Sequence, residues 1–477
     1  MDIAIILIIL LAGAILTYLS GNRFASKVAM LFSIAAAVFS VALYMKYGAA
    51  GVDFSVDWIS SPNISFSLKA DGLAIAMILL MTVLLPIIIL GAHNREFKNE
   101  KLLFSLVMFM AFAMAGAFLS SDALVYYVFW EMSLVPIYFI VTIWGNGEFA
   151  KRRRAAMTFF LYTFAGSLCM LAGIIYLYVK TGSFQLEAFY NANLNSTEQI
   201  WIFIAFFVAY AIKIPIFPFH TWQANLYSKA PSIGTMLLAG LMSKMGAYSV
   251  LRWQLPVTPY ASQELRTVVL ILCSIGVVYG AILALRQQEL KRFLAYASLS
   301  HVGFIAAGAY SLTYDGISGA LILILAHGFG IVAMFYSADI IQNRRNTLMI
   351  KELGGIRPYS PKFAVAFFFS ILSSIGIPLT FNFIGESTIL YGLFQVNLGF
   401  CIAVGSSLFL GALFMLRMFQ HTMLGPPAKK PFRDLSKTEV TVFALIIIVL
   451  VFFGVYVKPV TDLVSASISE IVMLVSR

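Results

Sequence analysis

Charged residues are scarce in this sequence. Of the 477 residues, 11% are Asp, Glu, Lys or Arg and 61% are hydrophobic. Soluble proteins carry about 25% charged residues, because their surfaces face water. The composition therefore argues against a soluble enzyme or binding module and predicts an integral membrane protein.

Cysteine is also rare, and no cofactor motif is present. The three cysteines, Cys169, Cys273 and Cys401, lie inside apolar segments without CxxC or Cys/His spacing. We interpret them as packing residues rather than metal or redox ligands. The sequence has no nucleotide-binding loop, flavin fingerprint or iron–sulfur cysteine set. We expect no metal and no cofactor in this chain, so any redox energy must come from another chain.

Long hydrophobic runs, in contrast, recur along the whole sequence. A run of about 20 apolar residues crosses about 30 Å of hydrocarbon as a helix. The first run follows Asp2 without a basic leader, which favours a retained span over a signal peptide. We predict an all-α polytopic membrane protein with about fourteen spans, at residues 2–19, 28–47, 70–92, 101–120, 122–144, 155–179, 199–222, 231–252, 266–286, 291–310, 315–341, 363–393, 398–424 and 438–457.

Basic residues mark one side of the membrane. Loops rich in Lys and Arg stay in the cytoplasm, and the even-numbered loops are nearly free of them. Both termini are therefore predicted to be periplasmic. The net charge of +11 is spread over seven loops, so it does not indicate a nucleic-acid partner. The basic residues of the odd-numbered loops are Arg23 and Lys27; Arg95, Lys98 and Lys101; Lys151 to Arg154; Lys229; Arg286, Lys291 and Arg292; Arg344 to Lys362; and Lys429 to Lys437.

Four ionisable residues lie near the middle of predicted spans. Burying one charge at bilayer depth costs at least about 2.5 kcal/mol, so such residues are candidates for an ion path. Histidines inside or beside spans are further candidates, because histidine titrates near neutral pH. Each candidate also has a packing interpretation, as a hydrogen-bonded core residue. The four are Glu131, Lys213, Lys244 and Glu386, and the histidines are His301, His327 and His220.

Two spans carry helix-breaking residues close to these charges. Span 7 contains Pro215 and Pro218, and span 12 contains Gly376 and Pro378. Proline removes an intrahelical hydrogen bond and frees a carbonyl, which protein or water must satisfy inside a membrane. Paired interrupted spans are typical of transporter sites.

The two broken spans are five spans apart, so a five-span unit repeated in tandem is inverted the second time. We therefore predict inverted repeats of spans 4–8 and 9–13. The corresponding division of the chain is 1–100, 101–252, 253–424 and 425–477. The tail after Lys458 is predicted to lie on the membrane surface as an amphipathic segment.

The intramembrane charges suggest a relay. Glu131 and Lys213 are natural partners, because opposite charges in a low-dielectric site stabilise each other's ionised forms. Such a pair can act as a switch. Lys244 has small neighbours that leave room for water, and a lysine able to lose its proton can relay one.

Seven motifs, spread over nearly the whole chain, resemble those of a known family. They are DGLAIAMIL from Asp71, FWEMSLVPIY with Glu131, KIPIFPFHTW with Lys213, APSIGTMLLAGLMSKMGAY with Lys244, LKRFLAYASLSHVGF, LAHGFGIVAMF and GIPLTFNFIGE. The sequence resembles the antiporter-like proton-channel family of respiratory complex I. That resemblance implies that Glu131 and Lys213 form an inner ion pair, that Lys244 is the central relay, and that Glu386 serves the outlet.

One position indicates the branch of the family, and one segment differs from the sequence that family members usually have. The L-type and N-type branches place a lysine in span 12, whereas this sequence has Glu386, which favours the M-type branch. After the histidine of the broken span, family members usually continue as Trp, Leu, Pro, Asp, Ala, His. Here the segment from Trp222 to Tyr227 reads WQANLY, and its lack of acidic and histidine groups argues against proton uptake through this loop.

The resemblance implies a proton-translocating membrane-arm subunit of NADH:quinone oxidoreductase, a translocase that itself lacks a redox centre. Protons would pass from Lys244 by way of His327 toward Glu386. The expected location is a bacterial inner membrane. The expected partners are the L-type and N-type subunits and others that hold FMN, iron–sulfur clusters and quinone. An Mrp-type Na⁺/H⁺ antiporter subunit is the alternative. A solute carrier or a structural scaffold fits the sparse midplane charges less well.

Overall fold

The computed structural model describes residues 2–60, 64–93, 95–426 and 431–476. Helices dominate the described residues. The N-terminal region contributes α1 (Asp2–Leu19), α2 (Ala25–Tyr47) and α3 (Gly72–Ala92). The next region contributes α4 (Glu100–Leu119), α5 (Ala123–Met132), α6 (Leu134–Trp144), α7 (Phe149–Thr181), α8 (Leu186–Tyr190), α9 (Ser196–Lys213), α10 (Gln223–Lys229), α11 (Ser232–Leu237) and α12 (Ser243–Ser249).

The remaining helices follow the same pattern of long and interrupted segments. They are α13 (Pro259–Glu264), α14 (Arg266–Arg286), α15 (Leu290–Ala309), α16 (Tyr314–Arg345), α17 (Pro361–Ser374), α18 (Phe381–Val396), α19 (Leu398–Met423), α20 (Lys437–Val455) and α21 (Lys458–Val475). Short 3₁₀ turns cover Gly48–Ala50 and Ile350–Glu352. Lys429 of the predicted basic loops lies outside the described residues.

Ten helical segments among the described residues are long and apolar enough to cross a membrane. The chain is therefore a helical polytopic membrane protein, as predicted. The predicted spans 5, 7, 8 and 12 are divided into shorter helical segments, and span 10 forms the single helix α15. Spans 7 and 12 are the two that carry the predicted breaks.

Helix α16 forms the centre of the bundle. Its most apolar stretch is entirely buried, and it packs against α15 and α18. Small residues allow this approach: a Cβ atom on Gly385 would lie 2.8 Å from the backbone N of Leu323, and one on Gly319 would lie 2.6 Å from the backbone N of Ile389. Close helix contact through small residues is a general way to pack helices in membranes.

The first broken span ends its helix at Lys213. Pro215 has no N–H group, and the Ile216 N–H bonds the Ala211 carbonyl at 2.8 Å instead of the Ile212 carbonyl. The indole Nε1 of Trp222 donates to that freed carbonyl at 3.1 Å. The break is thus held by a side chain from the segment that follows it, and Lys213 stays at a helix C-terminus.

The second broken span separates α17 from α18. Gly376 has a φ of +65°, a conformation that favours glycine. The Ile377 N–H bonds the Leu372 carbonyl at 3.3 Å, five residues back. Pro378 follows directly, and Leu379 has a φ of +72°, so the backbone stays outside the α-helical region until α18 begins.

Span 8 contains two π-helical turns, Leu238–Met242 and Val250–Gln254, on either side of α12. In the first turn the Ser243 N–H bonds the Leu238 carbonyl, five residues back. The Ala239 carbonyl is therefore free of its usual α-helical donor. Turns of this kind often occur at functional sites.

The structure also contains elements that the sequence analysis did not predict or placed differently. Strands β1 (Val52–Ile59) and β2 (Ile64–Ala70) form an antiparallel hairpin in the second loop. The polar and apolar residues of ISFSLKA alternate, which is the signal for a half-buried strand. Helix α21 is amphipathic as predicted, but its apolar face packs on the protein: a Cβ atom on Gly72 would lie 1.9 Å from the Leu463 carbonyl oxygen.

Candidate functional site

Lys244 lies inside the bundle and is 1% exposed. Its Nζ donates to the Ala239 carbonyl at 2.6 Å and to the Ser243 Oγ at 3.2 Å, and it lies 2.7 Å from His327 Nδ1. The Ala239 carbonyl is the one that the π-turn leaves free. The local helix distortion therefore supplies an acceptor for the amine, and a buried amine needs such acceptors.

His327 joins Lys244 to α15. Its Nε2 lies 3.4 Å from Ser298 Oγ, and its ring centroid lies 5.6 Å from that of the half-buried His301. When Nδ1 accepts from the Lys244 ammonium, Nε2 of a neutral imidazole carries the hydrogen. The structure thus brings three predicted site residues, Lys244, His327 and His301, into one cluster whose members can hold or pass a proton.

Lys213 is buried but held more loosely. Its Nζ lies 4.8 Å from the centroid of the Trp130 ring, a cation–π distance. It donates to Ser133 Oγ at 3.4 Å, a long hydrogen bond. As the last residue of α9, it also lies at the helix end that favours a positive charge.

The predicted contact between Glu131 and Lys213 is not a salt bridge. No ion pair within 4.0 Å joins them among the described residues. Glu131 is half-buried with Ser167 of α7 beside it. Its Oε1 has no hydrogen-bond partner among the residues that the structure describes. The two charges interact through space, and the Trp130 indole, not the carboxylate, lies against the amine.

The two lysines are linked by close packing. Gly246, two residues after Lys244, lies where a Cβ atom would be 2.6 Å from Ile214 Cγ1 and 3.2 Å from Lys213 Cβ. The helix that carries Lys244 therefore rests directly on the break that carries Lys213. We therefore expect a shift of one to displace the other, because tightly packed side chains leave little free volume.

Glu386 is buried against the second break. A Cβ atom on Gly376 would lie 1.8 Å from Glu386 Oε2. Any side chain at Gly376 would therefore collide with the carboxylate as well as strain the backbone. The structure brings Gly376 and Glu386 together, as the sequence predicted for a broken helix beside a charge.

Asn382 is a buried polar residue that the sequence analysis missed. It lies one turn before Glu386 on α18, and its Oδ1 accepts from Ser373 Oγ at 3.3 Å. The same oxygen lies 3.9 Å from the Cβ position of Gly330, one turn after His327 on α16. An amide inside an apolar span is itself a signal, since polar groups are expensive there.

His220 lies apart from the Lys244 cluster in its contacts. It is buried against Phe217 and against Tyr279 of α14, with ring centroids 5.6 and 5.3 Å away. Its Nδ1 has no hydrogen-bond partner among the described residues. The contacts of His220 fit a packing residue of the first break.

Two further buried charges lie where the sequence resembles a loop or the end of a helix. Arg252, in the second π-turn, forms an ion pair with Asp71, the N-cap of α3. Lys291, in the first turn of α15, is 0% exposed. Its neighbourhood in the sequence, QQELKRF, looks like a polar loop, so only the tertiary structure reveals that its side chain points inward.

Comparison with known proteins identifies the family of this chain. The family model described as "NADH:quinone oxidoreductase/Mrp antiporter, TM" matches residues 120–411. NADH-quinone oxidoreductase subunit M of Rickettsia prowazekii (strain Madrid E) is 34% identical over 474 residues, which cover 96% of each chain. The chain belongs to the NADH-quinone oxidoreductase subunit M family. The M-type assignment that Glu386 favoured is thus confirmed.

Two solved structures share the fold of this subunit M family member. A chain in respiratory complex I from Thermus thermophilus with bound NADH matches with a TM-score of 0.92 and 25% identity, covering 100% of both chains. A chain of the Mrp complex from Dietzia sp. DQ12-45-1b matches with a TM-score of 0.88 and 18% identity, covering 99% of both chains. At 18% identity the likeness to the Mrp chain shows the fold alone.

Proposed function

We propose that this chain is the proton-translocating membrane subunit of an NADH:quinone oxidoreductase, and that Lys244 and His327 form its central relay. The observation that carries the proposal is the 2.7 Å contact between Lys244 Nζ and His327 Nδ1 inside a buried bundle. At that distance a proton moves between the two nitrogens with little motion of heavy atoms.

The proposed path has three parts. Glu131 and Lys213 respond to charge changes at the neighbouring subunit, and Gly246 transmits the movement of Lys213 to the Lys244 helix. The proton of Lys244 then passes to His327, beside His301, and onward past Asn382 to Glu386. Moving one charge against 100 mV requires about 2.3 kcal/mol, which quinone reduction in partner subunits supplies.

The partners and location follow from the same proposal. FMN, iron–sulfur clusters and quinone belong to other subunits of the complex, and L-type and N-type subunits are the membrane-arm neighbours. The chain lies in a bacterial inner membrane with both termini in the periplasm. Fusions of a periplasm-specific reporter to Ser476 and to Gly147 test this orientation, with activity expected only at Ser476.

Fourteen crossings and two inverted five-span repeats, 101–252 and 253–424, complete the proposed architecture. The broken spans and the long helices support it. Helix α7 has 33 residues and α16 has 32, and each precedes a broken span. Equivalent order in the two halves is what an inverted repeat requires.

Mrp-type Na⁺/H⁺ antiport is the second candidate, because the matching family model includes that group and the Dietzia chain shares the fold. The subunit M relatives at 34% identity favour the first candidate.

The test is NADH-driven proton uptake by inverted membrane vesicles with a quinone acceptor. Lys244→Met, Lys213→Ala and Glu131→Gln are compared with wild type, and assembly is checked by the NADH oxidation of the partner chains. Loss of uptake in the assembled Lys244→Met complex supports the proposal. Unchanged uptake, together with Na⁺-dependent proton exchange, would instead support the antiporter.

A further inference from the structure

A polar cavity of about 470 Å³ lies at the end of the bundle that holds the odd-numbered loops. Its lining includes Arg95, Asn146, Ser232, Asp339 and Asn343. Arg95 and Asp339 form an ion pair there, and Asn343 Nδ2 donates to the Asp339 carboxylate at 3.0 Å. Charged and amide groups at this density mark a hydrated space rather than a lipid-filled groove.

The fully buried Lys291 lies behind the wall of this cavity. Its Nζ donates to the Ala230 carbonyl at 3.0 Å, and the same carbonyl accepts from Asn146 Nδ2 at 3.1 Å. Asn146 and Pro231, the neighbour of Ala230, both line the cavity. One shared carbonyl therefore connects the amine to a side chain that faces the cavity.

Lys291 is costly to keep where it is. It donates one hydrogen bond within the described residues, whereas an ammonium can donate three. It also lies in the first turn of α15, where the helix dipole disfavours a cation. The acidic groups that act on it are Asp339 on α16, which Arg95 engages, and Glu289. Packing gives no reason for a lysine here, since an apolar residue would fill the same space without this cost.

Helix α15 leads from Lys291 toward the relay. Ser298 lies seven residues further along α15, two turns away on the same helix face and about 10 Å along the axis. Ser298 Oγ lies 3.4 Å from His327 Nε2, and His327 contacts Lys244. A chain of about three hydrogen-bonded waters would span the distance from Lys291 to Ser298.

We propose that this cavity is the cytoplasmic proton inlet of the subunit and that Lys291 transfers protons from it toward Ser298, His327 and Lys244. The inference rests on the proposed function and gives it an uptake site. It also accounts for the segment from Trp222 to Tyr227, which lacks the acidic and histidine groups for uptake. Lys291 releases a proton to the water chain on the His327 side and regains one from water in the cavity.

The test restores an amine chemically. In the full complex, Lys291→Cys is made in a background with Cys169, Cys273 and Cys401 replaced by serine. Inverted vesicles expose the cytoplasmic face, and they are treated with 2-aminoethyl methanethiosulfonate, which attaches an ammonium, or with methyl methanethiosulfonate, which attaches a neutral group. Proton uptake is expected to fall about tenfold in the variant and to recover with the aminoethyl reagent alone.

Matched variants separate the possible failures. Lys351 is an exposed lysine on the same side, and the Lys351→Met complex should pump protons normally. The Lys291→Arg complex should lose proton uptake, because arginine keeps its proton. Normal uptake by both Lys291→Cys and Lys291→Arg, with Lys244→Met inactive, would overturn the inlet and leave the proposed function intact. Loss of uptake in Lys291→Cys that the aminoethyl reagent does not reverse, with Lys291→Arg active, would assign Lys291 a structural role and also overturn the inlet. Normal uptake by Lys244→Met would overturn the proposed function itself.

Discussion

Two buried lysines, Lys213 and Lys244, have similar burial but very different surroundings. Lys244 makes three close polar contacts, with Ala239, Ser243 and His327. Lys213 has one long hydrogen bond and the face of an indole. The first lysine is held by three close polar partners, and the second is held by weaker ones.

The difference arises from two kinds of helix defect. A π-turn keeps the helix continuous and frees one carbonyl, Ala239, which Lys244 uses. A proline break ends the helix, and the indole of Trp222 occupies the freed Ile212 carbonyl. Lys213 is therefore left with the helix dipole, Ser133 and Trp130. Under the proposed function, we therefore expect the first defect to give a relay with fixed geometry and the second to give a switch that responds to an external charge.

The largest effect is expected from Lys244. Lys244→Met and Lys244→Arg should each reduce NADH-driven proton uptake at least about tenfold, because methionine carries no proton and arginine does not release one. Uptake is measured in inverted vesicles at matched complex content. Wild-type uptake in Lys244→Arg would show that only the charge matters, and the distinction between relay and switch would be lost.

Substitution of His327 should have the second largest effect on proton uptake. His327→Gln keeps an oxygen that can accept from Lys244 but cannot carry a proton onward, so uptake should fall about tenfold while the complex remains assembled. His421→Gln, an exposed histidine at the end of α19, is the control and should have no effect. Equal activity of the two variants would remove His327 from the path.

Substitution of Trp130 tests how Lys213 is held. Trp130→Leu removes an interaction worth about 0.5–2 kcal/mol and should reduce uptake a few-fold. Trp201→Leu changes an outward-facing tryptophan of α9 that is 67% exposed, and it should leave uptake unchanged. A loss as severe as that of Lys244→Met would indicate that Lys213 is fixed as tightly as Lys244.

The smallest effect is expected where the two lysine sites meet. Gly246→Ala places a Cβ atom 2.6 Å from Ile214 Cγ1 and should lower the free energy of unfolding by about 1–3 kcal/mol. Proton uptake should fall about twofold. Thermal unfolding of the purified complex measures the first effect. Gly411→Ala is the control, because the nearest atom to its Cβ position is 4.0 Å away. Equal behaviour of the two variants would contradict mechanical coupling through Gly246.

Much of this site could be predicted from the sequence because polar groups are so unfavourable in an apolar span. Glu131, Lys213, Lys244, His327 and Glu386 all stand out for that reason. Asn382 belongs to the same class and could have been found by extending the rule from charges to amides. Lys291 could not, because its flanking residues are polar and imitate an ordinary loop.

The sequence by itself determined the membrane class, the positions of the buried charges and the proline breaks, since each depends on local composition and backbone chemistry. Only the tertiary structure decided which groups meet. The sequence predicts Glu131 and Lys213 as partners, but they do not form a salt bridge. Lys244 and His327 are 83 residues apart in the sequence and are hydrogen-bonded. Pairing depends on helix rotation and on π-turns, and these are set by packing across the bundle, which no single segment encodes.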